Sequence, residues 1–145
     1  MDTRIEALIG NEYAQRLVEL FAAAKHRIDI VVFDWRWYEN EPGGDVGRFN
    51  MAVAAAAKRG VKVRAVVNSD NIATRLKSVG VEVHRPTSKN LLHVKLVLID
   101  DKIAVLGSHN FTRHAFSVNM EASIVLEGEH YPPRLKEFFE TLWLL

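Results

Sequence analysis

The sequence predicts an α/β protein with a mixed, largely parallel β-sheet that is flanked by helices on both faces. Short apolar runs rich in Val and Ile alternate with longer segments of helical spacing, which is typical of strand–helix–strand units. Glycine follows two of the helical segments, at Gly60 and Gly80, where helices commonly end. The length of 145 residues suits one domain, so we expect a single domain over residues 1–145.

The elements outside the central hairpin follow from apolar spacing and breaker residues. Asn11 precedes a helical pattern, and Tyr131-Pro132-Pro133 opens the last helix, since Pro suits a first helical turn. The predicted elements are a helix at 12–25, a strand at 27–34, a loop at 40–47, a helix at 48–59, a strand at 61–67, a helix from Ser69 or Asp70 to 79, a strand at 81–83, a turn or short helix after Asn110, a strand at 119–126 and a helix to 144.

A β-hairpin is predicted between residues 91 and 106. Apolar runs at 91–99 and 103–106 flank Asp101-Lys102, which we interpret as a tight two-residue connection. A turn at these residues pairs Asp100 with Ile103.

The hairpin register predicts that four polar side chains share one patch. Side chains alternate between the two faces of a strand. His93 then lies opposite Asn110 and Lys95 opposite Ser108, with Cβ atoms roughly 5 Å apart. Lys, Asn and Ser can donate hydrogen bonds to phosphate oxygens, and His can act as a nucleophile, acid or base near neutral pH. The patch therefore predicts a phosphate site.

The same residues carry a resemblance to a known family. The pattern is His93-x-Lys95-x4-Asp100 and, after six more residues, Gly107-Ser108-x-Asn110. It resembles the HKD motif of the phospholipase D superfamily, and Asn119-x-Glu121 is similar to the N-x-E element of that family. The order of elements resembles the small single-motif endonucleases of the superfamily over nearly the whole chain, which implies an α-β-α sandwich.

The resemblance implies a metal-independent phosphodiesterase that uses no cofactor. His93 is expected to attack phosphorus and form a covalent phosphohistidine. Lys95 and Asn110 are expected to hold the phosphoryl oxygens, with Ser108 assisting. Glu121 is expected to accept the second N–H of His93 and orient the ring.

The mechanism also needs a second histidine, while the chain contains one copy of the motif. The resemblance therefore implies a homodimer with a composite site on the two-fold axis, where both copies of His93 face each other. Asp100 is expected to support the turn because the predicted register projects it to the opposite face. Gly107 is assigned to the structural part of the motif.

An aromatic cluster directly follows the first buried strand. Trp35 and Trp37 lie where ligands bind in open α/β sheets, and could form a stacking platform for bases. The alternative for these rings is a core plug or a dimer contact. Arg36 is a candidate phosphate contact.

The substrate stays open at this point. Net charge is only +1, but basic residues and histidines concentrate in residues 84–114, which suits an anionic substrate. We expect an endonuclease on DNA or RNA, with single strands favoured. The alternatives are a phospholipase acting on lipid phosphodiesters and a non-catalytic nucleic-acid-binding module.

Two further expectations concern metals and location. A zinc site at His93, His109 and His114 is not favoured, because strand alternation turns His109 away and acidic or Cys ligands at suitable spacing are missing. The sequence has neither cysteine nor an apolar run of membrane-spanning length, and its start does not resemble a signal peptide. We expect a cytoplasmic protein without stable membrane association.

Overall fold

The computed structural model describes residues 2–145 and contains a seven-stranded sheet with helices on both faces. The predicted α/β class with a mixed sheet is confirmed. In chain order the elements are β1 (Arg4–Ile9), α1 (Glu12–Ala23), β2 (Arg27–Val31), α2 (Asp45–Lys58), β3 (Lys62–Val66), α3 (Asp70–Lys77), β4 (Glu82–His84), β5 (Leu96–Ile99), β6 (Ile103–Gly107), α4 (Arg113–Ser117), β7 (Ala122–Glu127) and α5 (Pro133–Leu144).

The strand order across the sheet is β1-β7-β6-β5-β2-β3-β4. β2, β3 and β4 pair in parallel and have a helix in each connection, as predicted. The other four pairs are antiparallel, so the prediction of a largely parallel sheet is wrong in that detail. Helices cross over from β2 to β3 and from β3 to β4, whereas a short turn joins β5 to the antiparallel β6 and the segment that contains α4 joins β6 to the antiparallel β7.

The two faces of the sheet bury different helices. Alternation along β2 sends Ile30 to the core beneath α1 to α4 and Val31 to the core beneath α5. On the α5 side, the Asp29 carboxylate is 1% exposed and pairs with Arg64 at 2.9 Å, and Arg64 also pairs with Glu140. None of the helices in residues 2–145 has the length and apolar character that a membrane crossing requires.

The predicted elements are confirmed, with shifted ends, but one strand was missed. The predicted strand at 27–34 ends at Val31, and the predicted strand at 119–126 begins at Ala122. β1 was not predicted because its residues RIEALI lie at the sheet edge and five of the six are exposed. Such a strand lacks the apolar run or clean alternation that signals a strand in sequence.

The β5–β6 hairpin has a three-residue connection from Asp100 to Lys102, so the predicted two-residue turn is wrong. Ile99 pairs with Ile103, and the Lys102 N–H donates to the Ile99 carbonyl at 3.0 Å. Asp100 and Asp101 have φ angles of 53° and 58°, a left-handed conformation that Asp adopts more readily than most residues. The predicted register is therefore off by one residue.

The ladder between these strands is also shorter than predicted. It ends at the pair Leu96 and Leu106, whereas the predicted strand began at residue 91. His93 and Lys95 consequently lie in an irregular segment just before β5. Their positions therefore depend on contacts with the ends of other strands.

Candidate active site

His93 and Lys95 lie side by side at the sheet edge where β2 and β3 end. Lys95 Nζ is 3.3 Å from His93 Nδ1, and the two residues pack around the ring of Phe33. The His93 and Phe33 ring centroids are 4.9 Å apart. His93 is exposed and Lys95 is half-buried, so a ligand can reach both side chains.

Asn68 holds this segment in place and was missed by sequence reasoning. Its Nδ2 donates to the Leu92 carbonyl at 3.0 Å and to the Phe33 carbonyl at 3.2 Å. One amide therefore ties the residue before His93 to the residue whose ring supports His93. The only sequence signal for Asn68 is its place directly after the apolar strand 61–67, where a polar residue reaches the carboxyl edge of the sheet.

Asn110 reaches the same edge through the segment that follows β2. Its Oδ1 accepts the Asp34 N–H at 3.0 Å, and the next residue, Phe111, donates its N–H to the Asp34 carbonyl at 2.9 Å. Asp34 follows Phe33, so Asn110 is anchored beside the ring that contacts His93. This bond uses the acceptor oxygen of the amide, so the two N–H donors on Nδ2 take no part in it.

Ser108 and Glu121 form a second group with Asn119. Ser108 Oγ donates to the Glu121 carboxylate, and Asn119 Nδ2 donates to the same carboxylate at 3.1 Å. The predicted hydrogen bond from His93 to Glu121 does not form within the described chain. The ladder between β5 and β6 ends at Leu96 and Leu106, so strand pairing does not fix the Ser108 group relative to His93.

Gly107 is required by close packing beneath Ser108. A Cβ at this position would overlap the Ser123 side chain and lie 2.6 Å from the Ala122 carbonyl oxygen. The absence of a side chain lets β6 and β7 approach closely, and the Ser108 N–H then donates to the Ala122 carbonyl at 3.0 Å. Gly107 thus allows Ser108 to bond to β7.

His109 points away from the site, as predicted from strand alternation. It is fully buried, its ring stacks on Tyr13 with centroids 4.4 Å apart, and its Nε2 donates to the Gly10 carbonyl at 2.8 Å. A carbonyl can only accept, so Nε2 carries the proton and Nδ1 accepts from Ser123 Oγ. Burial lowers the pKa of His109 below its ordinary value, although the Gly10 carbonyl and Glu121 oppose this shift.

The zinc alternative has no geometric support in residues 2–145, which contain no group of three His, Cys, Asp or Glu side chains placed to hold a metal ion. His109 is buried against Tyr13, whereas His93 and His114 are exposed. These three histidines therefore do not form one cluster.

The aromatic cluster divides between the core and a pocket. Trp35 is 4% exposed and its Nε1 donates to the buried Asn50 Oδ1 at 2.7 Å, so Trp35 is a core plug and the stacking platform is wrong for this ring. Trp37 is half-buried and lines an open pocket of about 480 Å³. Arg36 lines the same pocket, and its hydrogen bond to the Asp34 carboxylate raises the pKa of the guanidinium further.

Asp100 lies at the other end of the hairpin, where its side chain bonds to the backbone that leads into β2. Its carboxylate accepts backbone N–H groups of Lys25, His26 and Arg27 at 2.8, 2.7 and 2.9 Å. Burial alone would raise its pKa, but the three hydrogen bonds outweigh burial and lower the pKa below its ordinary value. Asp100 thus joins the turn to the start of β2.

The sequence of this chain is similar to those of known proteins. Residues 17–143 match the protein-family model described as "Cardiolipin synthase, PLD-like domain". The chain is 28% identical over 140 residues to the mitochondrial cardiolipin hydrolase of Homo sapiens, an alignment that covers 92% of this chain and 52% of that protein. The chain therefore spans about half the length of the curated relatives it matches.

Two solved structures share the fold. Nuc from Salmonella typhimurium, described as a phospholipase D family member, has a TM-score of 0.79 at 20% identity and covers 97% of this chain and 92% of its own. NucT from Helicobacter pylori has a TM-score of 0.75 at 17% identity and covers 97% of this chain and 96% of its own. At these identities the likeness shows the fold alone.

Proposed function

This chain belongs to the phospholipase D superfamily, through its PLD-like domain, and on that premise we propose that it is a metal-independent phosphodiesterase that cleaves single-stranded DNA or RNA. The observation that carries the proposal is the placement of His93 beside Lys95 at an exposed strand end. A nucleophile and a cation at this spacing fit one phosphoryl group. Asn110 is anchored to Asp34, the residue after Phe33, and retains amide donors for phosphoryl oxygens.

The proposed reaction has two displacements at phosphorus. A ring nitrogen of His93 attacks, the N–P bond forms, and the bond from phosphorus to the leaving oxygen breaks while a second histidine protonates that oxygen. Water then attacks phosphorus, gives its proton to the second histidine and breaks the N–P bond. Lys95 and Asn110 stabilise the negative charge that develops on the phosphoryl oxygens in both steps.

The second histidine is proposed to be His93 of a second protomer in a homodimer. The structure supports this with an apolar sheet face next to the site, on the part of the sheet that α5 leaves open. Its exposed side chains are Ile5, Ile9, Leu106 and Ile124. Leu106 and Ile124 are paired across β6 and β7, two residues from Ser108 and three from Glu121. A charge at Ile124 (Ile124→Glu) is expected to yield monomers without activity in sedimentation and cleavage assays.

The nucleic-acid substrate is supported by the polar pocket that borders Phe33, next to His93. A lipid phosphodiester is the second candidate, because Leu91 and Val118 are 68% and 65% exposed and Met120 is fully exposed. The human relative is named a cardiolipin hydrolase, and this name describes a lipid phosphodiester as the substrate of that protein. The cytoplasmic location stays a prediction.

The test is cleavage of labelled single-stranded DNA and RNA in excess EDTA by the wild type, by His93→Ala and by Asp100→Asn. The proposal expects cleavage that survives EDTA, disappears in His93→Ala and persists in Asp100→Asn. Cardiolipin vesicles form a parallel arm of the same assay. Turnover of cardiolipin without cleavage of either nucleic acid would transfer the proposal to the lipid substrate, and binding of nucleic acid without any turnover would favour a non-catalytic module.

A further inference from the structure

The pocket at the carboxyl ends of β2 and β3 is one side chain away from His93. We call it the strand-end pocket, and it has a volume of about 480 Å³, within the range of small-molecule sites. Phe33 lines the pocket and also contacts the His93 ring, at 4.9 Å between centroids. A group bound in the pocket would therefore lie beside a phosphate held at His93.

One wall of the strand-end pocket is a fixed aromatic ring. Trp37 lines the pocket, and the Arg75 guanidinium lies 4.3 Å from the centre of its ring. Arg75 is itself held by Glu39 at 2.6 Å and by Ser78 Oγ at 3.0 Å. An aromatic wall that is already braced loses little side-chain entropy when a planar ligand packs against it.

The charges of the strand-end pocket balance each other. Arg36 pairs with Asp34 at 2.7 Å, and Arg75 pairs with Glu39 at 2.6 Å. All four residues line the pocket. A phosphate would have to compete with two carboxylates for these guanidinium groups, so the lining suits an uncharged, polar ligand better than a second phosphate.

Amide groups supply the polar contacts that such a ligand needs. Asn68 lines the pocket and donates both bonds of its Nδ2 to backbone carbonyls, which leaves its Oδ1 as the acceptor end. Asn71 also lines the pocket and is exposed, so its amide offers both donors and an acceptor. Nucleobases present the same mixture of donors and acceptors around a flat apolar ring.

We propose that the strand-end pocket binds the base of one nucleotide adjacent to the scissile phosphate, with Trp37 as the stacking wall and Asn71 as an edge contact. The inference rests on the proposed nuclease function and adds a base subsite to it. One sugar separates a base from its phosphate, which matches a pocket separated from His93 by the Phe33 ring alone. The enzyme would then require a base at the nucleotide on one side of the scissile phosphate, tolerate an abasic residue on the other side, and discriminate among the four bases at the first of these positions.

The experiment uses single-stranded oligonucleotides with one cleavable phosphodiester among methylphosphonate linkages. An abasic residue is placed on one side or the other of that phosphodiester. Loss of base stacking predicts a decrease of about 5- to 100-fold in kcat/KM for the abasic residue on one side only, mainly through KM. Trp37→Ala is expected to remove this difference, Trp37→Phe to retain most of it, and Asn71→Ala to change the preference among the four bases.

Asn11→Ala is the matched control, since Asn11 is exposed and its side chain makes no capping hydrogen bond at α1. It is expected to behave as the wild type. If Trp37→Ala does not fold, Asn71→Ala still tests the subsite, because Asn71 lies on the surface. Equal cleavage of intact and abasic substrates by the wild type would overturn the base subsite alone. Failure to cleave any oligonucleotide would overturn the nuclease proposal as well.

Discussion

The two ends of the β5–β6 hairpin both carry ionisable side chains, but the surroundings of these side chains differ. At the turn end, the Asp100 carboxylate accepts three backbone N–H groups from the start of β2 and the residues before it. At the open end, His93 and Lys95 contact each other and the Phe33 ring, and His93 is exposed. The open end therefore retains hydrogen-bonding capacity for a ligand.

The comparison separates residues that hold the fold from residues that are available to a substrate. His93, Lys95 and Asp100 belong to one sequence motif, so the motif alone does not assign their roles. Their hydrogen bonding does, because the Asp100 carboxylate can only accept and is occupied by three backbone N–H groups, whereas the Lys95 ammonium can donate to a phosphate oxygen. The comparison predicts that substitutions at the open end reduce activity and substitutions at the turn end reduce stability.

The largest effect is expected for His93→Ala. Loss of the nucleophile should lower kcat at least about 10⁴-fold, as for other covalent catalysts. The free energy of unfolding should change by less than about 0.5 kcal/mol, since the side chain is exposed. Steady-state cleavage and urea unfolding measure the two quantities, and retained cleavage by His93→Ala would show that His93 is not the nucleophile.

Asn68→Ala is expected to have the next largest effect on activity. Without the bonds to Leu92 and Phe33, the His93 segment can shift by about 1 Å, which costs about 10²-fold in kcat. KM should rise as well, because Asn68 Oδ1 is one of the acceptors that line the strand-end pocket. A loss of stability with unchanged kcat would show that Asn68 is only structural.

Asp100→Asn is the matched change at the turn end. It replaces a carboxylate that accepts three N–H groups by an amide with one acceptor oxygen, at a cost of about 1–3 kcal/mol in the free energy of unfolding. At temperatures where the variant is folded, kcat should stay within about twofold of the wild type. A large fall in kcat at full folding would contradict the structural role.

The pH dependence of stability sharpens the role of Asp100. Its folded-state pKa lies below the ordinary value of a carboxyl group, because backbone N–H bonds outweigh burial. Its contribution is therefore complete above the ordinary pKa and is lost as the pH falls through the folded-state pKa. The free energy of unfolding of the wild type, measured with urea, should fall as the pH becomes acidic. The same quantity should fall less steeply in Asp100→Asn.

The smallest effect is expected at His109, in the buried layer beneath Ser108. Burial lowers the pKa of His109, so the unfolded chain binds a proton more readily than the folded chain. Stability from the neutral ring is present above the ordinary histidine pKa and declines as the pH falls below it. His109→Gln keeps a donor for the Gly10 carbonyl and should flatten the unfolding free energy between pH 7 and pH 5, whereas an unchanged slope would argue against titration of His109.

Much of the fold was predictable from the sequence, because its signals are local. The helices α1, α2, α3 and α5 follow apolar spacing, and glycines with positive φ follow α2 and α3 at Gly60 and Gly80, as predicted. β1 was missed because an exposed edge strand has no buried alternation. The antiparallel majority was missed because strand order depends on long-range pairing, which no local pattern contains.

The residues of the candidate site could be proposed from the motif, but their arrangement could not be predicted from it. The motif identified His93, Lys95 and Asn110, whereas the register was wrong by one residue because the left-handed turn falls on Asp100 and Asp101. Asn68 acts through hydrogen bonds to residues 24 and 35 positions away, which a sequence pattern cannot show. Trp35 and Trp37 differ in burial although they are two residues apart, because only Trp35 finds a partner for its N–H in the core.

The central claim is that the open end of the hairpin carries the nucleophile. The most direct measurement is mass spectrometry of the enzyme mixed with a labelled single-stranded oligonucleotide and denatured in alkali, where a phosphohistidine survives. We expect an oligonucleotide fragment joined through its phosphorus to the peptide that contains His93, absent in His93→Ala and present in Asp100→Asn. An adduct on another residue, or active cleavage with none, would contradict the central claim.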